Sequence, residues 1–190
     1  IAHDLLQPLN AISGYAQLLS KVTCERKAGQ AEDTTTTSKY LEHIGRASDL
    51  LARMVGDLLD ASRIEAQRMT VDCGAVDLSA VVRQTIAILP QLAGRCEVRI
   101  EDDSGARAWA DPDRVHQVLS NLLTNAAKYG DPAGTIRIIV AREESVFRVT
   151  VENHGSGIDR NDLARIFDRF ERASSGGHNG ATGLGLGLHI

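Results

Sequence analysis

The chain has 190 residues, of which 43% are hydrophobic and 24% charged, and this composition is typical of globular domains. Its formal net charge of -4 provides no basic surface, so we expect no nucleic-acid partner. Three cysteines without a CxxC pair predict neither a zinc site nor a disulfide framework, and they indicate reduced thiols in the cytoplasm. No apolar run approaches the roughly 18 residues of a membrane span, so we expect no membrane contact by this segment.

Two long helical patterns open the chain, from residue 1 to about 22 and from about Thr36 to Ala66. Their apolar and small residues recur at alternating three- and four-residue steps, which is typical of a bundle seam. The stripe residues are Leu5, Leu9, Ile12, Ala16 and Leu19, then Leu41, Ile44, Ser48, Leu51, Val55, Leu58 and Ser62. One antiparallel hairpin cannot bury both faces of such a seam, so we expect a homodimer that forms a four-helix bundle.

From residue 69 onward, short strand patterns alternate with helical ones, and this alternation predicts an α/β sandwich. The predicted strands are Arg68–Asp72, Glu97–Glu101, Thr135–Arg142 and Val146–Glu152, and the predicted helices are Leu78–Leu89 and Pro112–Tyr129. Glycine, serine and asparagine between Ser174 and Gly187 predict a mobile loop. The sequence therefore predicts an α+β protein with a helical hairpin at 1–68 and a second domain at 69–190.

The first motif with chemical character is HDLLQPL at residues 3–9. Asp4 adjoins His3, and a carboxylate beside an imidazole can orient the ring and hold one nitrogen unprotonated. Pro8 lacks an N–H and should bend the helix one turn after the histidine. Alternatively, this is a tolerated helix bend beside an exposed histidine.

The second motif is NLLTNAAKY at residues 121–129. Asn121 and Asn125 are four residues apart and share one helical face with Lys128. Amide oxygens suit Mg²⁺, a lysine can neutralise phosphate, and the ring of Tyr129 can pack against a base. Two surface asparagines on an amphipathic helix would look the same, so the motif alone leaves both interpretations open.

Two glycine-containing stretches complete the set of motifs. ENHGSGI at 152–158 follows a predicted strand, and its glycines allow a sharp turn that approaches a ligand closely. IFDRFER at 166–172 precedes TGLGLGL at 182–188, where glycines alternate with leucines and indicate a loop that leads into a helix start. A common turn, surface arginines and a flexible tail are the alternatives for these stretches taken singly.

Taken in order and spacing, these motifs resemble the H, N, G1, F and G2 boxes of the histidine kinase family, and the resemblance covers essentially the whole chain. The second half is similar to the wider GHKL ATPase fold. The resemblance implies an α/β sandwich that would be completed by a further helix and strand beyond Ile190.

The resemblance also implies a role for each box. His3 would accept the phosphoryl group, and Asp4 would be the base that orients the His3 ring. Gln7 stands where the family positions water for dephosphorylation. Asn125 would ligate Mg²⁺, with help from Asn121. The implied nucleotide-binding residues are Asn121, Asn125, Lys128, Tyr129, Asn153, Gly155, Gly157, Ile158, Arg169, Arg172, Thr182, Gly183, Leu184, Gly185, Leu186 and Gly187.

The implied activity is transfer of the γ-phosphoryl group of ATP to His3, followed by transfer to an aspartate of a response regulator receiver domain. The family usually has aspartate where Asn153 stands, and asparagine keeps an acceptor oxygen but adds an NH₂ donor. A non-catalytic dimerisation and nucleotide-sensing module and a phosphatase-biased regulator are the alternative functions.

Overall fold

The computed structural model describes residues 2–24, 34–89, 92, 96–102, 105–132, 134–171 and 184–190. These residues form two compact units. The first comprises the described residues up to 65 together with residue 184, and the second comprises residues 66–171 and 185–190. Among the helices of these ranges, none is long and apolar enough to cross a membrane.

The first unit is a hairpin of two helices, α1 (Ala2–Cys24) and α2 (Thr34–Glu65). On α2 the buried apolar residues are Ala47, Met54 and Ala61, which are seven residues apart and form a heptad seam. This seam lies one position before the predicted stripe. Leu41 and Val55 of that stripe remain 53% and 45% exposed in the single chain.

The second unit contains two small sheets and three helices. Its strands are β1 (Gly74–Asp77), β2 (Glu97–Asp102), β3 (Arg107–Ala110), β4 (Thr135–Glu143) and β5 (Val146–Glu152). Its helices are α3 (Leu78–Ala87), α4 (Pro112–Tyr129) and α5 (Arg160–Leu163). β1 pairs with β3 in an antiparallel ribbon, and the second sheet has the order β2-β4-β5, with β2 parallel and β5 antiparallel to β4.

The core of the second unit lies between this three-stranded sheet and the two longer helices. Ile136, Ile138 and Val140 alternate along β4 and point to one face, where they join Val82 of α3 and Leu123 of α4 in one buried cluster. The predicted α/β sandwich is confirmed. Its helical layer places one side of α4 against the core and leaves the other side of that helix for the site.

The strand predicted at Arg68–Asp72 was wrong, because the chain becomes a strand only at Gly74. The amide N–H of Asp72 donates to the carboxylate of Asp111 at 2.9 Å, so this stretch is held by a side chain instead of a strand partner. β3 and α5 were not predicted, since each has four residues and too short a pattern. Helix α3 ends at Ala87, two residues before the predicted end.

Candidate functional site

His3 lies in the first turn of α1 with 82% of its side chain exposed. Its Nδ1 is 3.8 Å from Oδ1 of Asp4, which is beyond direct hydrogen-bond distance but within electrostatic reach. Helix α1 continues through Pro8, whose side chain is buried, while Gln7 is exposed. His3 is therefore an accessible imidazole with a carboxylate near its Nδ1.

Asp111 fixes the start of α4. Its carboxylate accepts hydrogen bonds from the backbone N–H groups of Asp113 at 3.0 Å and Arg114 at 3.2 Å, in addition to that of Asp72. These bonds, the one from Asp72 foremost, hold the pKa of the Asp111 carboxyl below its ordinary value. The cap therefore sets where α4 begins and where its later side chains lie.

The side of α4 away from the core carries Asn121, Asn125 and Lys128, as predicted from their spacing. Both asparagines are half-buried, and Lys128 is exposed with its Nζ 5.0 Å from the ring centre of Tyr129. Nδ2 of Asn121 donates a hydrogen bond to the carbonyl oxygen of Gly187 at 2.8 Å. Two amide oxygens, which can ligate a metal ion, and a lysine cation on one face suit a phosphate that carries a hard metal ion.

A close crossing follows the end of α4. Gly130 and Gly155 form an antiparallel bridge, and the Asp131 N–H donates to the His154 carbonyl at 2.8 Å. A Cβ at Gly155 would overlap the carbonyl oxygen of Tyr129, and a Cβ at Gly130 would overlap that of Ala126. Gly155 therefore requires glycine because the backbone after α4 meets it, and Gly130 requires glycine because a Cβ would overlap the last turn of α4.

Asn153 and Gly157 lie on either side of this crossing. The Asn153 side chain is exposed, and its Nδ2 donates to the His154 carbonyl at 3.5 Å, which leaves Oδ1 as an available acceptor. Gly157 has a φ of +71°, and no described atom lies within 4 Å of where its Cβ would be. Ile158 beyond it is 46% exposed. This part of the turn is open, unlike the crossing at Gly155.

The two segments at 167–171 and 185–189 are bonded together. The Phe170 N–H donates to the Gly185 carbonyl at 3.0 Å, and the His189 Nδ1 is 3.1 Å from the Phe167 carbonyl oxygen. Phe170 and Gly185 both have positive φ, at 64° and 67°. A Cβ at Gly185 would lie 2.6 Å from the Glu171 carbonyl oxygen, so glycine is required where the segments cross.

Within the stretch predicted as a mobile loop, residues 185–187 are therefore held in place. Leu186 is 1% exposed. Arg169 is half-buried, with its guanidinium carbon 5.3 Å from the Phe170 ring centre. Arg172, Thr182 and Gly183, also predicted as site residues, lie outside the described residues.

The sequence interpretation missed several residues of this site. Gly130 was not selected, although a glycine directly after a helical pattern is a common signal for its end. The His154 carbonyl and the His189 ring left no signal, because their roles depend on segments distant in sequence. Among the described residues, no group of three His, Cys, Asp or Glu side chains could hold a metal ion.

Comparison with known families identifies both parts of the chain. The model for the His Kinase A (phospho-acceptor) domain matches residues 1–67. The model for the histidine kinase-, DNA gyrase B-, and HSP90-like ATPase matches residues 110–190. The chain belongs to the histidine kinase family. The predicted membership is thereby confirmed, and the hairpin and the sandwich correspond to the two parts that these models describe.

Individual histidine kinases and their relatives align along the whole chain. The bacteriophytochrome of Pseudomonas aeruginosa is 34% identical over 191 residues, which are 100% of this chain and 25% of that protein. Full-length ShkA, solved in complex with AMPPNP, has a TM-score of 0.66 and 26% identity, covering 98% of this chain and 37% of ShkA. ThkA, solved with the response regulator protein TrrA, shares the fold with a TM-score of 0.61 and 23% identity, covering 90% of this chain and 48% of that one. The chain spans between 21% and 48% of the length of the first curated relatives that it matches.

Proposed function

We propose that this chain is the kinase core of a sensor histidine kinase, and that it transfers the γ-phosphoryl group of ATP to His3. The observation that carries the proposal is the imidazole of His3, 82% exposed, in a hairpin that the phospho-acceptor domain model matches. Residues 1–68 would form the dimerisation and phosphotransfer domain. Residues 69–190 would form the ATP-binding domain.

The chemical step at His3 follows from its surroundings. Nε2 of the neutral ring attacks the γ-phosphorus in line with the bond to the bridging oxygen, so an N–P bond forms as the P–O bond breaks and ADP leaves. The carboxylate of Asp4, on the Nδ1 side at 3.8 Å, favours the tautomer that keeps its proton on Nδ1 and stabilises the positive charge that develops on the ring. His3 has to be accessible, because the ATP-binding domain that would deliver the nucleotide, of the same chain or of its partner, is separate from the hairpin.

Nucleotide binding is assigned to the outer side of α4 and the turn after β5. The ATPase family model covers both, and ShkA, solved with AMPPNP, provides a structural relative with a bound ATP analogue. Asn125 would hold Mg²⁺, which neutralises charge on the phosphates, while Lys128 would contact a phosphate. Tyr129 would pack against the base, and Oδ1 of Asn153 would accept a hydrogen bond from the adenine amino group.

The remaining nucleotide contacts are assigned to the glycine-containing segments. Gly157 and Ile158 border the open part of the turn, where no described side chain fills the space beside Gly157. Arg169 is half-buried and belongs to the segment 167–171, which is bonded to 185–189. It would contact a phosphate that these two segments border. The arginine would stabilise negative charge that moves to the leaving ADP.

Two partners complete the proposal. A second copy of this chain would cover the exposed apolar residues of the hairpin, in keeping with the dimeric bundle that the heptad pattern predicts. A response regulator would then receive the phosphoryl group from His3 on an aspartate of its receiver domain. ThkA, which shares this fold, was solved with such a regulator.

The proposal is tested by incubating the chain with γ-labelled ATP and Mg²⁺, beside the variants His3→Ala and His43→Ala. His43 is the matched control, because it is an exposed histidine of the same hairpin. We expect acid-labile, base-stable label on the wild type and on His43→Ala, and none on His3→Ala. Label that persists on His3→Ala, or ATP binding without any label, would contradict the proposal and favour a nucleotide-sensing module.

A further inference from the structure

Asn121 has a specific partner in the structure. Its side-chain N–H group donates to the Gly187 carbonyl at 2.8 Å, across 66 residues of sequence. The carboxamide also lies on the side of Gly187 where a side chain would be, since a Cβ there would be 3.5–3.7 Å from the Asn121 carboxamide atoms. This hydrogen bond joins the middle of α4 to the segment 185–189.

That segment is in turn bonded to the segment 167–171. The Phe170 N–H donates to the Gly185 carbonyl, and the His189 ring meets the Phe167 carbonyl. The first bond joins two residues of positive φ, and glycine is required at 185, so this crossing has one specific geometry. Asn121 therefore bonds α4 directly to the segment 185–189, and through that segment to 167–171.

We propose that Asn121 is a positioning residue that holds the segment 185–189 on α4, rather than a ligand of Mg²⁺. This inference rests on the proposed function, because Asn121 would fix the proposed phosphate-binding segments relative to Asn125 and Lys128. Asn121 and Asn125 share one face of α4, one turn apart, and differ in role. The amide nitrogen of Asn121 donates a hydrogen bond within the protein, while the amide oxygen of Asn125 would ligate the metal.

Aspartate substitution separates the two roles, because a carboxylate matches the asparagine side chain in shape, ligates Mg²⁺ better, and cannot donate a hydrogen bond. In Asn121→Asp the carboxylate would face the Gly187 carbonyl oxygen and lose the contact. Asn121→Leu removes the donor without adding charge. Asn125→Asp is the matched control, since it introduces the same charge one turn along the same face.

The first measurement is amide hydrogen exchange of the whole chain without nucleotide or Mg²⁺. We expect the N–H groups of Phe170 and Ile190 to lose about tenfold in protection in both Asn121 variants, the effect of about one lost hydrogen bond. Amides of β4 should exchange as in the wild type, which excludes general loss of stability. Unchanged protection at Phe170 and Ile190 would overturn the proposal whether or not His3 is phosphorylated.

The second measurement is calorimetric affinity for AMPPNP, with Mg²⁺ and with EDTA. A positioning role predicts that both Asn121 variants bind about tenfold more weakly and by the same factor in the two conditions. Asn125→Asp should instead change its affinity by different factors in the two conditions, because its carboxylate repels the phosphates most when no Mg²⁺ lies between them. Should Asn121→Asp bind normally with Mg²⁺ while Asn121→Leu loses affinity only when Mg²⁺ is present, Asn121 is a metal ligand and the proposal is wrong.

Discussion

Gly155 and Gly157 stand two residues apart in one turn, but the atoms around them differ. The backbone of Tyr129 and Gly130 occupies the space where a Gly155 side chain would be, whereas no described atom lies within 4 Å of the Cβ position at Gly157. Gly155 therefore serves the junction between the turn and the end of α4. Gly157 needs glycine for its φ of +71° and leaves room for a ligand.

Gly155→Ala should destabilise the second unit. The added methyl group would overlap the Tyr129 carbonyl, so the bridge between Gly130 and Gly155 must open. Overpacking of this kind lowers the free energy of unfolding by about 2 kcal/mol. Urea denaturation followed by circular dichroism would measure this change.

Gly74→Ala is the matched control for this substitution. It lies in β1 with negative φ and without a described atom within 4 Å of its Cβ position, so alanine should leave the unfolding midpoint unchanged or slightly raised. Equal unfolding midpoints for Gly155→Ala and the wild type would contradict the close approach of backbone at Gly155. The GxG turn could be predicted from the sequence. Which of its two glycines contacts other backbone could not be, because that depends on where the chain after α4 places Gly130.

At the scale of elements, the sheet β2-β4-β5 has two unlike faces. One face carries the buried residues of β4, and the other carries ion pairs between neighbouring strands. Arg137 on β4 donates to Glu101 of β2 at 2.7 Å and to Glu152 of β5 at 3.0 Å. The hydrogen bonds from Arg137 hold the pKa of the Glu101 carboxyl below its ordinary value.

Removing the Arg137 charge should weaken the sheet in a pH-dependent way. Because the pKa of Glu101 is lower in the folded protein than in the unfolded chain, its contribution to stability is present above the unfolded pKa and lost as pH falls through the folded one. We expect Arg137→Gln to lower the melting temperature at pH 7. The difference from the wild type should disappear in acid, where Glu101 is protonated in both states.

Arg142→Gln is the control for that measurement. Arg142 lies on the same strand and is also exposed, but its Nε donates to the backbone carbonyl of Glu144 at 3.3 Å. A melting temperature that is equally lowered in both variants, or a difference for Arg137→Gln that persists in acid, would count against the ion-pair interpretation. Exposed pairs contribute little singly, so the comparison with the wild type needs matched salt concentrations.

Elements with long, strong patterns could be predicted from the sequence. α4 was predicted with its observed bounds because Asp111 and Pro112 mark its start, and β5 because it alternates and follows a short turn. β3 was missed, since the alternating residues of Arg107–Ala110 include small alanines that give little hydrophobic signal. The contact between Asn121 and Gly187 could not be predicted either, because no local pattern links residues so distant in sequence.

At the scale of the whole molecule, the hairpin retains apolar side chains that one chain does not bury. Leu41 and Val55 are two heptads apart on α2 and are 53% and 45% exposed. Leu6 and Leu9 on α1 are 51% and 46% exposed. The heptad pattern was readable from the sequence, but the division of its residues between the intrachain seam and the outer face was not.

Replacing both Leu41 and Val55 by glutamate should convert the proposed dimer to a monomer. Burying two carboxylates in an apolar bundle costs more than the contacts between the chains can offset. Analytical ultracentrifugation of the wild type should show a dimer, and that of the double variant a monomer.

Val146→Glu is the control for this experiment, because Val146 lies in the second unit and is 57% exposed. It should leave the dimer intact. A wild type that sediments as a monomer, or a double variant that remains dimeric, would contradict the proposed interface on the hairpin.

The most direct test of the central claim locates the phosphoryl group on the chain. After incubation with ATP and Mg²⁺, trypsin digestion at basic pH releases the peptide of residues 1–21. The chain has six histidines, and His3 is the one in this peptide. Tandem mass spectrometry should find the added mass of one phosphoryl group on this peptide and assign it to His3. A phosphoryl group on another peptide, or none despite bound ATP, would contradict the account.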